Sequence, residues 1–401
     1  MKRILRRFFA LALSGALVLG GAGLLAPVSA AAAGKPNLDK IQKELLEIME
    51  DHDVPGMAIA LVKGDEVIYS NALGVQDLKT NKPLAIDGIF RIASISKSFS
   101  GVSIMQLVEA GKLSLDADVS DILGFSVRNP RFPEVPITVR MLLSHTSSVI
   151  DSKGVSYRDP LDETIIPGSA PAEKVAACYA TYAPGKGYKY SNRGINLLGA
   201  VIEKVSGERF DNYVLNHILR PLGIESAGFN VDSLDRSRFT SLYILRDGRE
   251  VPQPGAYKRF PQYDTYRLGI DTPVLSPAGG MKITILGLAE WMMTLKRGGI
   301  GRNGVRILSE ASVEQMFQKA TPPRSKVHYG FTLSTSSALL GFPMRGHGGS
   351  AYGLKSIMNF SPEQDFGVVV FCSSTDNKKN SRNGIAAYSE AAEVLYNAFI
   401  K

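Results

Sequence analysis

Phe90-Arg91-Ile92-Ala93-Ser94-Ile95-Ser96-Lys97 is where an extended apolar segment runs into the start of a helix. Ser94 and Lys97 stand three residues apart, so on a helix their side chains share one face. A serine hydroxyl is a poor nucleophile until a base takes its proton, and a lysine that is desolvated or set near other cations loses enough charge to help. The helix N-terminus adds free backbone N–H groups and a positive dipole end, both suited to an anionic transition state. The pair alone is weak evidence. Ser-x-x-Lys arises by chance about once or twice in a chain of this length, and a helix N-cap followed by a solvated lysine accounts for it as well.

On the N-terminal side, Leu38, Ile41, Leu45 and Ile48 recur at helical spacing, and that helix ends near Asp53-Val54-Pro55. Met57 to Val62 and Glu66 to Ser70 read as strands, with Lys63-Gly64-Asp65 as the hairpin turn between them. At the other end, Leu354 to Phe360 and Gly367 to Cys372 read as strands joined by Ser361 to Asp365, and residues 383–400 as a final helix. The middle has another texture: 94–110, 138–144, 171–182, 193–206 and 208–219 are helical in pattern and linked by long Pro-, Gly- and Asp-bearing loops. The simplest architecture is an α/β (α+β) fold, an antiparallel sheet flanked by helices from both termini with a mainly helical region inserted. This gives one domain over 35–401, with 35–93 and 270–401 as its α/β part, 94–269 as its helical part and a cleft between them. No internal repeat is visible, and no low-complexity tract follows residue 34.

The chain has 401 residues, 46 Lys plus Arg against 38 Asp plus Glu, and 44% hydrophobic residues, which excludes a tail, a coiled coil or a disordered linker. Its net charge of +8 is partly an N-terminal effect: Lys2, Arg3, Arg6 and Arg7 precede an apolar run from Phe8 to about Ala26, and Val28-Ser29-Ala30 follows. That is the pattern of a signal peptide over 1–30, with an uncleaved anchor as the competing reading. Without those four cations, 42 basic residues face 38 acidic ones and the charge is +4, too little and too scattered for a nucleic-acid surface. The expected location is exported, periplasmic or extracellular, with membrane contact only through the signal peptide. No cofactor or metal is expected, since the five histidines have no paired spacing. Cys178 and Cys372 read as small core residues rather than a disulfide.

No Gly-x-Ser-x-Gly elbow and no phosphate-cradling Gly-rich loop occurs. Two further stretches stand out: Pro184-Gly185-Lys186-Gly187-Tyr188-Lys189-Tyr190-Ser191-Asn192, and Gly346-His347-Gly348-Gly349-Ser350 just before the C-terminal strands. With them the chain resembles the family of class C-type serine β-lactamases, penicillin-binding DD-peptidases and related esterases. Ser94-x-x-Lys97, Tyr190-x-Asn192 and His347-x-Gly349 occur in the family's order. Met141-Leu142-Leu143-Ser144-His145-Thr146-Ser147, Pro221-Leu222-Gly223 and Pro277-Ala278-Gly279-Gly280 look familiar too, and the resemblance covers about residues 38–400.

The resemblance implies that Ser94 is acylated and that Lys97 and Tyr190 share the proton work, with Tyr190 as a phenolate or as a relay. A phenol titrates near pH 10, so a nearby cation is required if it is to act as a base. It further implies that Asn192 holds the substrate amide and orients Lys97, and that the Ser94 and Ser350 N–H groups form the oxyanion hole. His347 stands where class C β-lactamases carry lysine, and Gly348 and Gly349 admit the substrate backbone. The substrate so implied is a D-alanyl amide or ester of the cell envelope. The alternatives are a carboxylesterase or D-aminopeptidase of the same fold, a class C-type β-lactamase, and a non-catalytic binder of penicillin or peptidoglycan. The segment 253–270, interleaving Tyr257, Phe260, Tyr263 and Tyr266 with Lys258, Arg259 and Arg267, is read either as a lid or as a loop whose aromatics pack down.

Overall fold

The central strands are apolar on both sides, and the sheet is accordingly covered on both faces. In the computed structural model, which describes residues 36–374 and 386–401, the strands are β1 (Gly56–Lys63), β2 (Glu66–Asp77), β3 (Lys82–Pro83), β4 (Ile89–Arg91), β5 (Tyr243–Arg246), β6 (Arg249–Pro252), β7 (Lys282–Thr284), β8 (Ser334–Ser336), β9 (Met344–Ala351), β10 (Leu354–Ser361) and β11 (Phe366–Cys372). The signal peptide read over 1–30 lies outside the described residues. Seven strands form one antiparallel sheet in the order β3-β2-β1-β11-β10-β9-β8, so the strands from the two ends of the chain meet at its centre. Met57 pairs with Cys372 and Val62 with Gly367. Ala58, Ala60 and Val62 enter one core and Met57, Ile59 and Leu61 the other, which is why β1 reads as an unbroken apolar run.

Helices 38–51 and 387–399 cover one face, with Ile41, Leu45 and Leu395 in its core. Helix Ile285–Lys296 covers the other and ties the helix Lys97–Glu109 to the sheet: Trp291 stacks on Phe99 at 4.2 Å, and its Nε1 donates to Ser98 Oγ at 2.9 Å. Both cysteines are free and buried.

Three elements differ from the sequence reading. β2 runs on to Asp77 because β1 pairs with it as far as Gly56↔Gly74 and β3 pairs with Val75 and Asp77 beyond. The helix expected over 171–182 spans only Ala172–Ala177; beyond it the backbone turns to pair with the loop at Ser148–Ile150, Ile150 N donating to Cys178 O and Ala180 N to Ser148 O. The stretch 208–219 holds a short α-helix, Phe210–Val214, followed by one π turn. The aromatics of 253–270 pack down. Tyr257 stacks on Phe239 at 4.6 Å and donates to Thr240 O, and Tyr266 donates to the buried Glu203, which also accepts from Gly269 N and Thr272 Oγ1. Among the described residues no helix is long and apolar enough to cross a membrane.

Candidate active site

Ser94 lies in a single 3₁₀ turn, Ala93–Ser96, from which the helix Lys97–Glu109 continues. Ala93, immediately before it, has φ 51°, a left-handed conformation that L side chains adopt at a cost of about 1–3 kcal/mol and that recurs at functional sites. The turn is clamped from several sides: Ile92 N donates to Met281 O, Ser96 Oγ donates to Ala93 O, and Ser356 Oγ donates to Ile92 O.

Lys97 is fully buried, and its Nζ has three partners: Ala278 O at 2.7 Å, Asn192 Oδ1 at 2.8 Å and Ser94 Oγ at 3.2 Å. Burial pulls its ammonium down to about 7, against the Asp151 carboxylate, which raises it. A neutral amine has two N–H bonds and one lone pair. The two shorter contacts take the N–H bonds, and the third leaves the lone pair on the Ser94 hydroxyl.

Asn192 opens the helix Asn192–Ser206, whose N-cap Ser191 accepts from Gly194 N. Asp151 accepts from the backbone N–H groups of Asn192 and Arg193 and from Asn192 Nδ2 at 2.8 Å. A carboxylate accepts, so Asp151 fixes the amide with its nitrogen toward itself and Oδ1 toward Lys97. Asp151 was not singled out in the sequence, since a lone aspartate after Ser147-Ser148-Val149-Ile150 carries no motif. Ala278, within the quoted Pro-Ala-Gly-Gly segment, supplies a carbonyl, and nothing in a backbone group signals that from sequence.

The Tyr190 ring lies 4.8 Å from Lys97 Nζ. Burial pushes its phenol far above the ordinary value, so at neutral pH Tyr190 carries its proton. Its Oη makes no hydrogen bond of good geometry, although the Ser94 hydroxyl is close enough to favour ionisation slightly.

His347 joins a buried chain with one direction. Ser191 N donates to His145 Nδ1, so His145 carries its proton on Nε2 and gives it to Tyr329 Oη at 3.2 Å. Tyr329 then donates to His347 Nε2 at 3.1 Å, and His347 Nδ1–H donates to Gly348 O. Burial and the Lys97 charge hold His347 down to about 4 and His145 well below its usual value, so both imidazoles are neutral. Tyr329 has no motif of its own; His145 lies in the quoted segment 141–147. Tyr329→Phe leaves His145 Nε2–H and His347 Nε2 without partners, at about 1–3 kcal/mol each. Chemical denaturation should show that loss, and an unchanged midpoint would break the chain as drawn.

Ser350 follows the glycines of β9. Gly349 sits so close that a Cβ there would lie 2.3 Å from Ile92 O and 3.3 Å from the Ala93 Cβ, which seats β9 against the Ser94 turn. On its outer edge β9 is paired by β8 only at Met344–Gly346, leaving the backbone from His347 to Ala351 without a strand partner there among the described residues. Ser94, Lys97, Tyr190 and Asn192 thus converge, His347 borders them through the Tyr190 ring at 6.2 Å, and Gly348, Gly349 and Ser350 line the strand edge beside the Ser94 turn.

An antiparallel sheet with a serine turn, a buried lysine and a tyrosine at its edge is the framework of a serine hydrolase. The family model described as Beta-lactamase matches residues 41–393, and the chain belongs to that family. It is 30% identical to Esterase EstB of Burkholderia gladioli over 262 residues, 58% of this chain and 63% of the esterase, so it spans under two thirds of that relative. It is 27% identical to Penicillin-binding protein 4 of Amycolatopsis lactamdurans, over 69% of each chain. A solved structure, the octameric penicillin-binding protein homologue from Pyrococcus abyssi, superposes with a TM-score of 0.70 at 27% identity, covering 90% of this chain and 78% of that one.

Proposed function

We propose that this chain is an exported hydrolase that forms an acyl-enzyme at Ser94 and acts on a D-alanyl amide or ester of the cell envelope. The observation that carries the chemistry is the Lys97 amine, desolvated to a pKa of about 7 and held 3.2 Å from Ser94 Oγ by Asn192 and Ala278. Neutral Lys97 takes the Ser94 proton as Oγ attacks the carbonyl carbon, and the oxyanion falls between the N–H groups of Ser94 and Ser350. Tyr190, protonated at rest, gives its proton to the leaving nitrogen or oxygen, and the Lys97 ammonium restores it. The scissile bond breaks, the acyl–Ser94 ester forms, and both side chains regain their starting states. Water then hydrolyses the ester. Export rests on the basic and apolar stretch at 1–30.

A carboxylesterase is the second reading, favoured by the 30% identity to a protein named as an esterase. Intact-mass spectrometry after incubation with benzylpenicillin, beside Ser94→Ala, separates the possibilities. A stable adduct on the wild type alone supports the DD-peptidase-like reading. Opened drug without an adduct points to β-lactam hydrolysis, and intact drug with turnover of short-chain esters favours the esterase. Equal labelling of Ser94→Ala would sink the nucleophile assignment.

A further inference from the structure

Beyond Ser350, the turn that closes β9 onto β10 is flanked by two arginines with no acid to balance them among the described residues. Tyr352, two residues on, lies between two guanidiniums, Arg91 at 5.2 Å and Arg158 at 5.0 Å from its ring centroid. Arg158 Nη1 donates to Tyr352 Oη, while its buried Nε has no hydrogen-bond partner. Arg91 spends its donors on Gly279 O, Ala256 O and Ser276 Oγ. Among the described residues, neither guanidinium has a carboxylate within ion-pair distance. Two guanidiniums against one ring repel each other, and a buried donor without a partner costs about 1–3 kcal/mol, so the arrangement is incomplete until an anion joins it.

The direction of the substrate says which part would supply that anion. The group that protonates the leaving atom must lie beside it, which places the leaving group on the Tyr190 and His347 side. With the carbonyl oxygen between Ser94 and Ser350, the acyl chain runs the other way, along β9 toward the turn at Tyr352, two residues from Ser350 and so at most about 7 Å away. Arg158 is half-buried and Tyr352 partly exposed, so an incoming group reaches both.

We infer that Arg158 and Tyr352 form an anion subsite for the acyl side of the substrate, so that the preferred acyl donors carry a carboxylate about four carbons beyond the carbonyl that is attacked. This rests on the acyl-enzyme reading of Ser94. The test compares the 4-nitrophenyl hemiester of adipic acid with the 4-nitrophenyl ester of monomethyl adipate, a pair that differs in one charge. The wild type should prefer the anionic ester by about tenfold or more in kcat/KM, with the preference falling as salt is raised. In Arg158→Gln the ratio of the two should fall to about one, and Arg158→Lys should keep part of it. The ratio cancels any general loss of activity, and the salt dependence on the wild type stands even where a variant does not fold. Equal turnover of the two esters by a wild type that labels at Ser94 overturns the subsite alone. No turnover of either, with no label, overturns the Ser94 reading and the subsite with it.

Discussion

Lys97→Met acylates Ser94 about 10²–10⁴-fold more slowly than the wild type, the range a positioned general base contributes. At pH 7 an ordinary lysine is neutral in roughly one molecule in 2,500, whereas Lys97, drawn to about 7 by burial, is neutral in about half. Methionine is of similar length and apolar, so the cavity stays filled. The variant leaves Asn192 Oδ1 and Ala278 O without their donor, but it also removes a desolvated cation, so stability should change much less than rate. The pH dependence separates a base from a structural cation. Protonated Lys97 cannot accept the Ser94 proton, so wild-type kcat/KM climbs with pH up to about 7 and levels above it. The imidazole of His347, held near 4, adds no limb between pH 5 and 8. Stopped-flow acylation with an activated ester across that range should give one ascending limb in the wild type and none in Lys97→Met. A limb that survives in the variant would move the base to another group.

What the sequence could disclose follows from the range of each interaction. Ser94 and Lys97 share a face because they are one helical turn apart, and that spacing is visible in any window of four residues. β1 and β11 were legible as strands because both faces are buried, which writes an apolar run into the chain. Tyr190, Asn192 and His347 have no local signature, and their ordered recurrence with Ser94-x-x-Lys97 is what drew attention to them. Asp151 and Tyr329 remained hidden. Each is an ordinary residue whose task is defined by partners 41 and 18 positions away, respectively the Asn192 amide and the His347 ring. The Ala-rich stretch after 171 misled for a related reason: Cys178 O and Ala180 N are claimed by the 148–150 loop, a tertiary demand that outweighs helical propensity. In 253–270, Glu203 decides between lid and packed loop, because one buried carboxylate receives Tyr266, Gly269 and Thr272 together.

Gly349→Ala is the second large effect, and it acts on the other half of the site. A Cβ at 349 would lie 2.3 Å from Ile92 O and 2.3 Å from Ser356 Oγ. The serine can rotate away, but the carbonyl of Ile92 belongs to the turn that presents Ser94, so the strand must withdraw. In the proposed mechanism the Ser350 N–H is thereby lost to the oxyanion, and loss of one such donor costs about 10²–10³ in rate. Overpacking adds about 1–3 kcal/mol of destabilisation. The ascending limb near pH 7 should persist, because Lys97 and its three partners lie on other elements. Gly348 supplies the contrast: its Cβ would meet only Ser356 O, at 3.6 Å, an ordinary contact, so Gly348→Ala keeps β9 seated and any loss it causes falls on KM. Measured side by side, Gly349→Ala should lower both the unfolding midpoint and the limiting acylation rate, with the pH profile unshifted. A Gly349→Ala protein that acylates at the wild-type rate would show that β9 does not form the oxyanion hole.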